Sequence, residues 1–267
     1  MNKKIFLIII TCVTVLCILI GSFMHLGYQR NAFRSVGRNV SRAIRNSFRG
    51  VKNGDYSDSD LDYDFDDFDD IDDSDEDWVG KESKSAELEK FETIDINGSV
   101  MAVKIERGNS YSIDIYYAKK ELRPAYKVTG QVLKINQPDY KSGRSTNGKC
   151  SVVIKVPFGA KIDNIKINVD VGAIELKNID TEGAEINTDV GAISIDNVVF
   201  ENLKANSDVG AVSISLVDDI NNYGIDAKTE LGGIEVSGRS AKRKYTQKGT
   251  TSKNIKIKTE VGGIDIN

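Results

Sequence analysis

Between residues 170 and 264 the chain repeats one phrase five times: an acid, an aliphatic residue and a glycine, followed by a small residue and a second aliphatic. It reads DVGAI at 170–174 and 189–193, DVGAV at 208–212, ELGGI at 230–234 and EVGGI at 260–264. The starts lie 19, 19, 22 and 30 residues apart. A period near 20, with β-branched residues at alternate positions and no helical periodicity, is what a β-solenoid requires, because equivalent strands then stack in parallel on successive coils. Each phrase is expected at the same corner.

The parity of the apolar residues explains the glycine. Ile165, Ile167, Val169 and Val171 alternate on one face, whereas the next apolar pair is Ile174 and Leu176, so the phase slips by one residue at the corner. Gly172, Gly191, Gly210, Gly232 and Gly262 are expected to absorb that slip, with access to φ > 0. Three interior columns follow: Val171, Val190, Val209, Leu231 and Val261; Ile174, Ile193, Val212, Ile234 and Ile264; and Leu176, Ile195, Ile214, Val236 and Ile266. Their burial, at about 25 cal/mol per Å², is the main stabilising contribution expected. Asp170, Asp189, Asp208, Glu230 and Glu260 form a column of like charges at the same corner. Either a ladder of cations compensates them or each accepts hydrogen bonds from turn amides, the second being favoured.

Residues 91–160 lack the phrase but alternate as strands, for example Ile94, Ile96 and Val100, and are expected to cap the first coil. The last residue follows the core position Ile266 directly, so the final coil is expected to present an open edge. The fold expected for residues 91–267 is all-β: a single-stranded β-solenoid, parallel β-helix-like, of about five coils with an N-terminal strand cap.

A transmembrane helix is expected to precede it. After a short tail at 1–4, residues 5–24 contain no charge, and twenty residues at 1.5 Å each span a hydrocarbon core of about 30 Å. The run exceeds a signal-peptide core, which favours an uncleaved signal anchor. Residues 25–54 read as a basic amphipathic helix: Arg30, Arg34, Arg38, Arg42, Arg45, Arg49 and Lys52 recur three or four apart, and Phe33, Val36, Val40, Ile44 and Phe48 repeat on another face. Anionic headgroups are its expected partner, with a solvated stalk as the alternative. These cations outweigh Lys3 and Lys4 and by themselves favour a cytoplasmic C-terminal domain. Residues 55–90 read as an acidic linker, with fourteen acids and no base between 55 and 77, too charged to build a core; residues 83–90 allow a helical turn.

Chemistry-bearing clusters are scarce. His25 is the only histidine and lies beside the apolar run, so neither histidine acid–base catalysis nor a Cys–His pair with Cys150 is available to the C-terminal domain. No metal or cofactor is expected, and nucleic acid is not an expected partner. The interval 239–253 holds six cations, and Lys242, Arg243, Lys244 and Lys248 are the candidate anion-binding loop, for phosphate on a wall polymer or lipid.

Three stretches carry a family resemblance: FETIDINGSVMAVKIERG at 91–108, VVIKVPFGAKIDNIKINVDVGAIEL at 152–176, and the later glycine corners. They resemble the bacterial adhesin family of β-strand repeats, a domain of unknown function that includes LiaG-type membrane-anchored envelope proteins. The resemblance implies a β-solenoid behind a membrane segment, displayed at the envelope, with no catalytic residues to transfer. The expected function is therefore a non-enzymatic, membrane-anchored module for adhesion, binding or stress sensing, single-pass with its C-terminal domain outside. Membrane lipid, a cell-wall polymer or an envelope protein is its expected partner. A bactofilin-like polymerising scaffold, self-associating through the C-terminal edge, is the alternative, and a polysaccharide-active β-helix enzyme is a third.

Overall fold

The computed structural model describes residues 82–138 and 150–267. The expected membrane helix, the basic helix and the acidic linker up to residue 81 lie outside the described residues. Among those described, no helix is long and apolar enough to cross a membrane. Residues 82–87 are not a helical turn but an edge strand, since Glu82–Glu87 pairs antiparallel with Ser112–Tyr117.

Two mixed sheets face each other across one aliphatic core. With strands numbered along the chain, the first sheet runs in the order β1 (Glu82–Glu87), β4 (Ser112–Tyr117), β7 (Cys150–Pro157), β3 (Ala102–Gly108), β9 (Ile174–Lys177), β11 (Ile193–Val198), β13 (Val212–Leu216), β19 (Ile264–Ile266), β15 (Ile234–Val236) and β16 (Arg239–Ala241). The second runs β17 (Lys244–Gln247), β14 (Gly224–Leu231), β18 (Asn254–Val261), β12 (Asn202–Val209), β10 (Asp180–Val190), β8 (Lys161–Val171), β2 (Thr93–Val100), β6 (Val132–Asn136) and β5 (Ala125–Thr129). A rung is one strand of each sheet joined at a corner, as in β8 with β9. Neighbouring rungs pair in parallel with equivalent residues aligned: Ile165 beside Ile186, Ile174 beside Ile193. The architecture is all-β and solenoid-like.

Two features depart from a simple solenoid. The rungs at each end are swapped relative to chain order. The first, β2 with β3, lies inside β6 and β7. The last, β18 with β19, lies between β12 with β13 and β14 with β15. The open C-terminal edge expected from sequence is therefore absent: Ile264–Ile266 is paired on both sides, and Asn267 exchanges backbone hydrogen bonds with Ile214 and Leu216. The sheet ends instead carry antiparallel strands. β5 and β16 fold back through two-residue turns, Gly130–Gln131 and Ser237–Gly238, with positive φ at both residues. That geometry matches the twist of a hairpin.

The second departure is the rung count, six among the described residues rather than about five. Strand β2 is no mere cap: Val100 pairs with Val171, so Ser99 to Val103 (SVMAV) is a sixth copy of the corner phrase, with Met101 at the glycine position. Gln137, almost fully buried, completes this end. Its side-chain amide accepts from the Ser99 and Val100 N–H groups at 3.1 and 2.8 Å and donates to the Val100 and Leu122 carbonyls at 3.1 and 2.6 Å. A side chain here does what a neighbouring strand does elsewhere.

The corner glycines are required by proximity. A Cβ on Gly191, Gly210 or Gly262 would sit 1.8 Å from the carbonyl oxygen of the glycine one rung away, and on Gly172 or Gly232 it would sit 2.0 Å from the Met101 or Gly262 oxygen. Gly191 and Gly262 have no positive φ, so contact between rungs is what all five share. The slip is also placed differently from the expectation. Asp170 and Val171 both face out, and Ala173 and Ile174 both face in. Val171, Val190, Val209, Val261 and Leu231 consequently stack as expected, but on the surface, 44–63% exposed, and their column is not interior. The other two expected columns are buried throughout, at 0–1% exposure.

Candidate functional site: a lysine face on the second sheet

Alternation along the second sheet sends every other side chain to solvent, and parallel pairing aligns those side chains in rows across the strands. One row reads Lys134, Asp95, Lys166, Glu185 and Lys204 across β6, β2, β8, β10 and β12, alternating in sign. The next reads Asn136, Asn97, Asn168, Asn187 and Asn206. Within it Asn168, Asn187 and Asn206 each donate to the preceding asparagine, at 3.1, 2.8 and 2.7 Å. Over these five strands the outer face is electrically balanced and bonded to itself.

Beyond β12 the pattern breaks. The first row continues Lys256, Asp226 and Thr246, and the second continues Lys258, Lys228 and Lys244. Lys204 lies directly beside Lys256, and Lys258, Lys228 and Lys244 lie side by side on three strands. Strands are about 4.8 Å apart, and like charges facing each other at that distance destabilise a sheet. Some acids share the area: Lys204 meets Glu185 at 2.5 Å, Lys228 meets Asp226 at 3.1 Å and Lys258 meets Glu260 at 3.4 Å. Lysine bonding and proximity hold the Glu185 carboxyl below the usual range. Lys244 and Lys256 make no ion pair among the described residues. The opposite edge holds one such like pair, Lys127 beside Lys134. Five ammonium groups cluster on four strands, three of them shared with acids, and lysine binds phosphate as a mobile point charge, so the cluster suits a repeating anion that competes for them.

The residues expected to form an anion-binding loop are divided by the fold. Lys244 begins β17 and belongs to the lysine face. The carbonyl of Arg243 accepts the Thr229 N–H at 2.9 Å, and Lys242 and Lys248 are exposed on either side of the strand. Arg239 lies in β16, on the other sheet, and Lys253 is held against Asp218 and 5.5 Å from the Tyr223 ring centre. The segment thus contributes two edge strands, β16 and β17, rather than a single loop, and four of the five face lysines come from other rungs. Lys204, Lys256, Lys258 and Lys228 stand two or four residues before their corner acids, a regularity visible once the phrases are aligned. Their adjacency depends on the inserted last rung.

The acid column runs Asp170, Asp189, Asp208, Glu260 and Glu230 in space, all exposed. Hydrogen bonding to turn amides, the favoured expectation, does not occur. The corner amides of Gly172, Gly191, Gly210 and Gly262 donate instead to Val190, Val209, Val261 and Leu231 carbonyls at 2.8–3.0 Å. Among the described residues, no three His, Cys, Asp or Glu side chains are grouped to hold a metal. The six arginines of residues 30–49 lie outside the described residues.

Two stacked sheets of parallel rungs, closed at both ends by antiparallel strands, define a β-solenoid-like class. Residues 91–217 match the family model Toastrack DUF4097, a domain of unknown function. Among solved structures, it resembles a "putative cell adhesion protein" from Clostridium sporogenes, at 20% identity and a TM-score of 0.59 over 69% of this chain and 98% of that one. A "putative adhesin" from Bacteroides fragilis matches at 14% identity and a TM-score of 0.35, over 69% of this chain and 96% of that one. No curated protein matches the sequence.

Proposed function

We propose that this protein is a non-enzymatic binding module of the cell envelope, tethered by residues 5–24, whose lysine face holds a polyanionic polymer such as a phosphate-bearing wall polysaccharide. The observation that carries this reading is the change along one sheet face, from balanced rows to five clustered lysines with two adjacent like-charge sets. A purely structural face has the asparagine and alternating-charge solution already in use on the adjoining strands. The Clostridium sporogenes structure, at a TM-score of 0.59, is called a "putative cell adhesion protein", which agrees with a surface that binds and does not react. The arginine bias after residue 24 favours the cytoplasm, whereas the family resemblance supports the outside, the side that supplies the polymer this surface fits. The scaffold reading loses its motive, because the C-terminal rung that was to template assembly is internal.

Retention of the full-length protein, in detergent, on immobilised inorganic polyphosphate tests the reading. Each cation near a phosphate surface contributes about 1 kcal/mol. Replacing Lys228, Lys256 and Lys258 together by glutamine is expected to weaken binding roughly a hundredfold, while replacing Lys127, Lys134 and Lys166 leaves it within about threefold of wild type. Equal losses in the two variants would refute a localised site.

A further inference from the structure

The exposed corner column has a matching partner within the same chain. Val171, Val190, Val209, Val261 and Leu231 form one unbroken apolar stripe, each residue aligned with its neighbour on the next rung, and half-buried Val100 extends it. Single exposed valines are ordinary; a continuous stripe marks a docking surface. Along one flank, one residue earlier in every rung except the first, run Asp170, Asp189, Asp208, Glu260 and Glu230. The surface is thus an apolar line edged with negative charge on one side.

We infer that the arginine-rich segment of residues 30–52 docks along this corner as a helix. Its sequence carries the complementary pattern: Phe33, Val36, Val40, Ile44 and Phe48 on one face, and Arg30, Arg34, Arg38, Arg42, Arg45, Arg49 and Lys52 on the adjoining flank. The lengths agree. Five intervals between six rungs at about 4.8 Å make about 24 Å, and the fifteen steps from Phe33 to Phe48 at 1.5 Å make about 22 Å. Successive arginines three or four apart rise about 4.5–6 Å, close to the rung spacing that separates the acids. The 29 residues between Lys52 and Glu82 reach about 100 Å when extended, enough to bring the segment to any part of the domain. Docking covers the valines, pairs the acids that the corner amides leave free, and sets the solenoid lengthwise against the segment that follows residues 5–24.

Disulfide trapping in the full-length protein tests this, with Cys12 and Cys17 replaced by serine. Val40 lies at the middle of the segment and Val209 at the middle of the stripe, so the result does not depend on helix direction. A bond needs Cα atoms within about 7 Å. Under mild oxidation V40C/V209C is expected to give an intramolecular disulfide at least about tenfold faster than V40C/T246C, whose second site lies on β17 away from the corner. Adding Asp170→Lys, Asp189→Lys and Asp208→Lys is expected to slow V40C/V209C by about fivefold or more, with the β-sheet circular dichroism retained. Equal rates at the two positions, bonds formed only between copies, no bond at all, or indifference to the charge reversal would each overturn the inference.

Discussion

Replacing Gly191 by alanine perturbs one of the three tightest corners among the described residues. The added methyl carbon would stand 1.8 Å from the Gly172 oxygen, whereas a carbon–oxygen contact is comfortable at about 3.3 Å, so the two rungs must part by about 1.5 Å at the corner. The hydrogen bonds bridging them there, Gly172 N–H to Val190 and Ile174 N–H to Ala192, start at 3.0 and 2.9 Å and would be lost. Two bonds at about 1 kcal/mol each, with about 1–3 kcal/mol of overpacking strain, give a destabilisation of about 3–5 kcal/mol. Gly159→Ala is the control. It has positive φ (+79°) but open space around it, so its cost is conformational, about 1 kcal/mol. Urea unfolding followed by circular dichroism should show Gly191→Ala losing at least about twice as much stability as Gly159→Ala. If Gly191→Ala loses no more than Gly159→Ala, the glycines serve backbone freedom and not rung contact, and the corner has been explained wrongly.

Three further outcomes are expected. Gln137→Ala leaves two N–H groups and two carbonyls without the side chain that bonds them, and should lower stability by about 2–4 kcal/mol, measured by the same unfolding curves. Burial pushes the Cys150 thiol up to about 12, so with Cys12 and Cys17 replaced by serine the folded protein should react with maleimide at neutral pH far more slowly than after unfolding, and equal rates would contradict its burial. Burial and then Glu235 raise the Asp265 carboxyl above its usual range, so the folded state favours its protonated form and stability falls as pH rises through that range. Asp265→Asn should therefore raise Tm at pH 7 and leave it unchanged at a pH low enough to protonate Asp265 in both states.

How much of this was legible beforehand depends on which interactions are local. The corner phrase and strand parity are short-range patterns, and they located the columns headed by Ile174 and Leu176, both buried from rung to rung. Parity failed at Val171 because it assumes a regular pleat, and at the corner two consecutive residues turn outward. The first rung went unrecognised because Met101 occupies the glycine position; the shared register of Val100 with Val171 is a pairing fact, absent from the phrase itself. The lysine face was missed for a different reason. Lys256 and Lys258 become neighbours of Lys204 and Lys228 only because the last rung inserts beneath the one made before it, and the choice of a rung's neighbours is set by long-range packing. Cations are dense along the chain at residues 242–248, whereas the sheet gathers cations across it.

That insertion holds the account together, since without it the lysine rows do not exist, and backbone hydrogen exchange measures it directly. A parallel strand bonds one neighbour with alternate amides and the other neighbour with the rest. With β18 between β12 and β14, and β19 between β13 and β15, consecutive amides within residues 255–262 and 264–266 should exchange slowly, on a par with those of Asp180–Val190. Protection of only every other amide in residues 255–266 would mean that the last rung lies at an open edge, and the lysine face would fall with it.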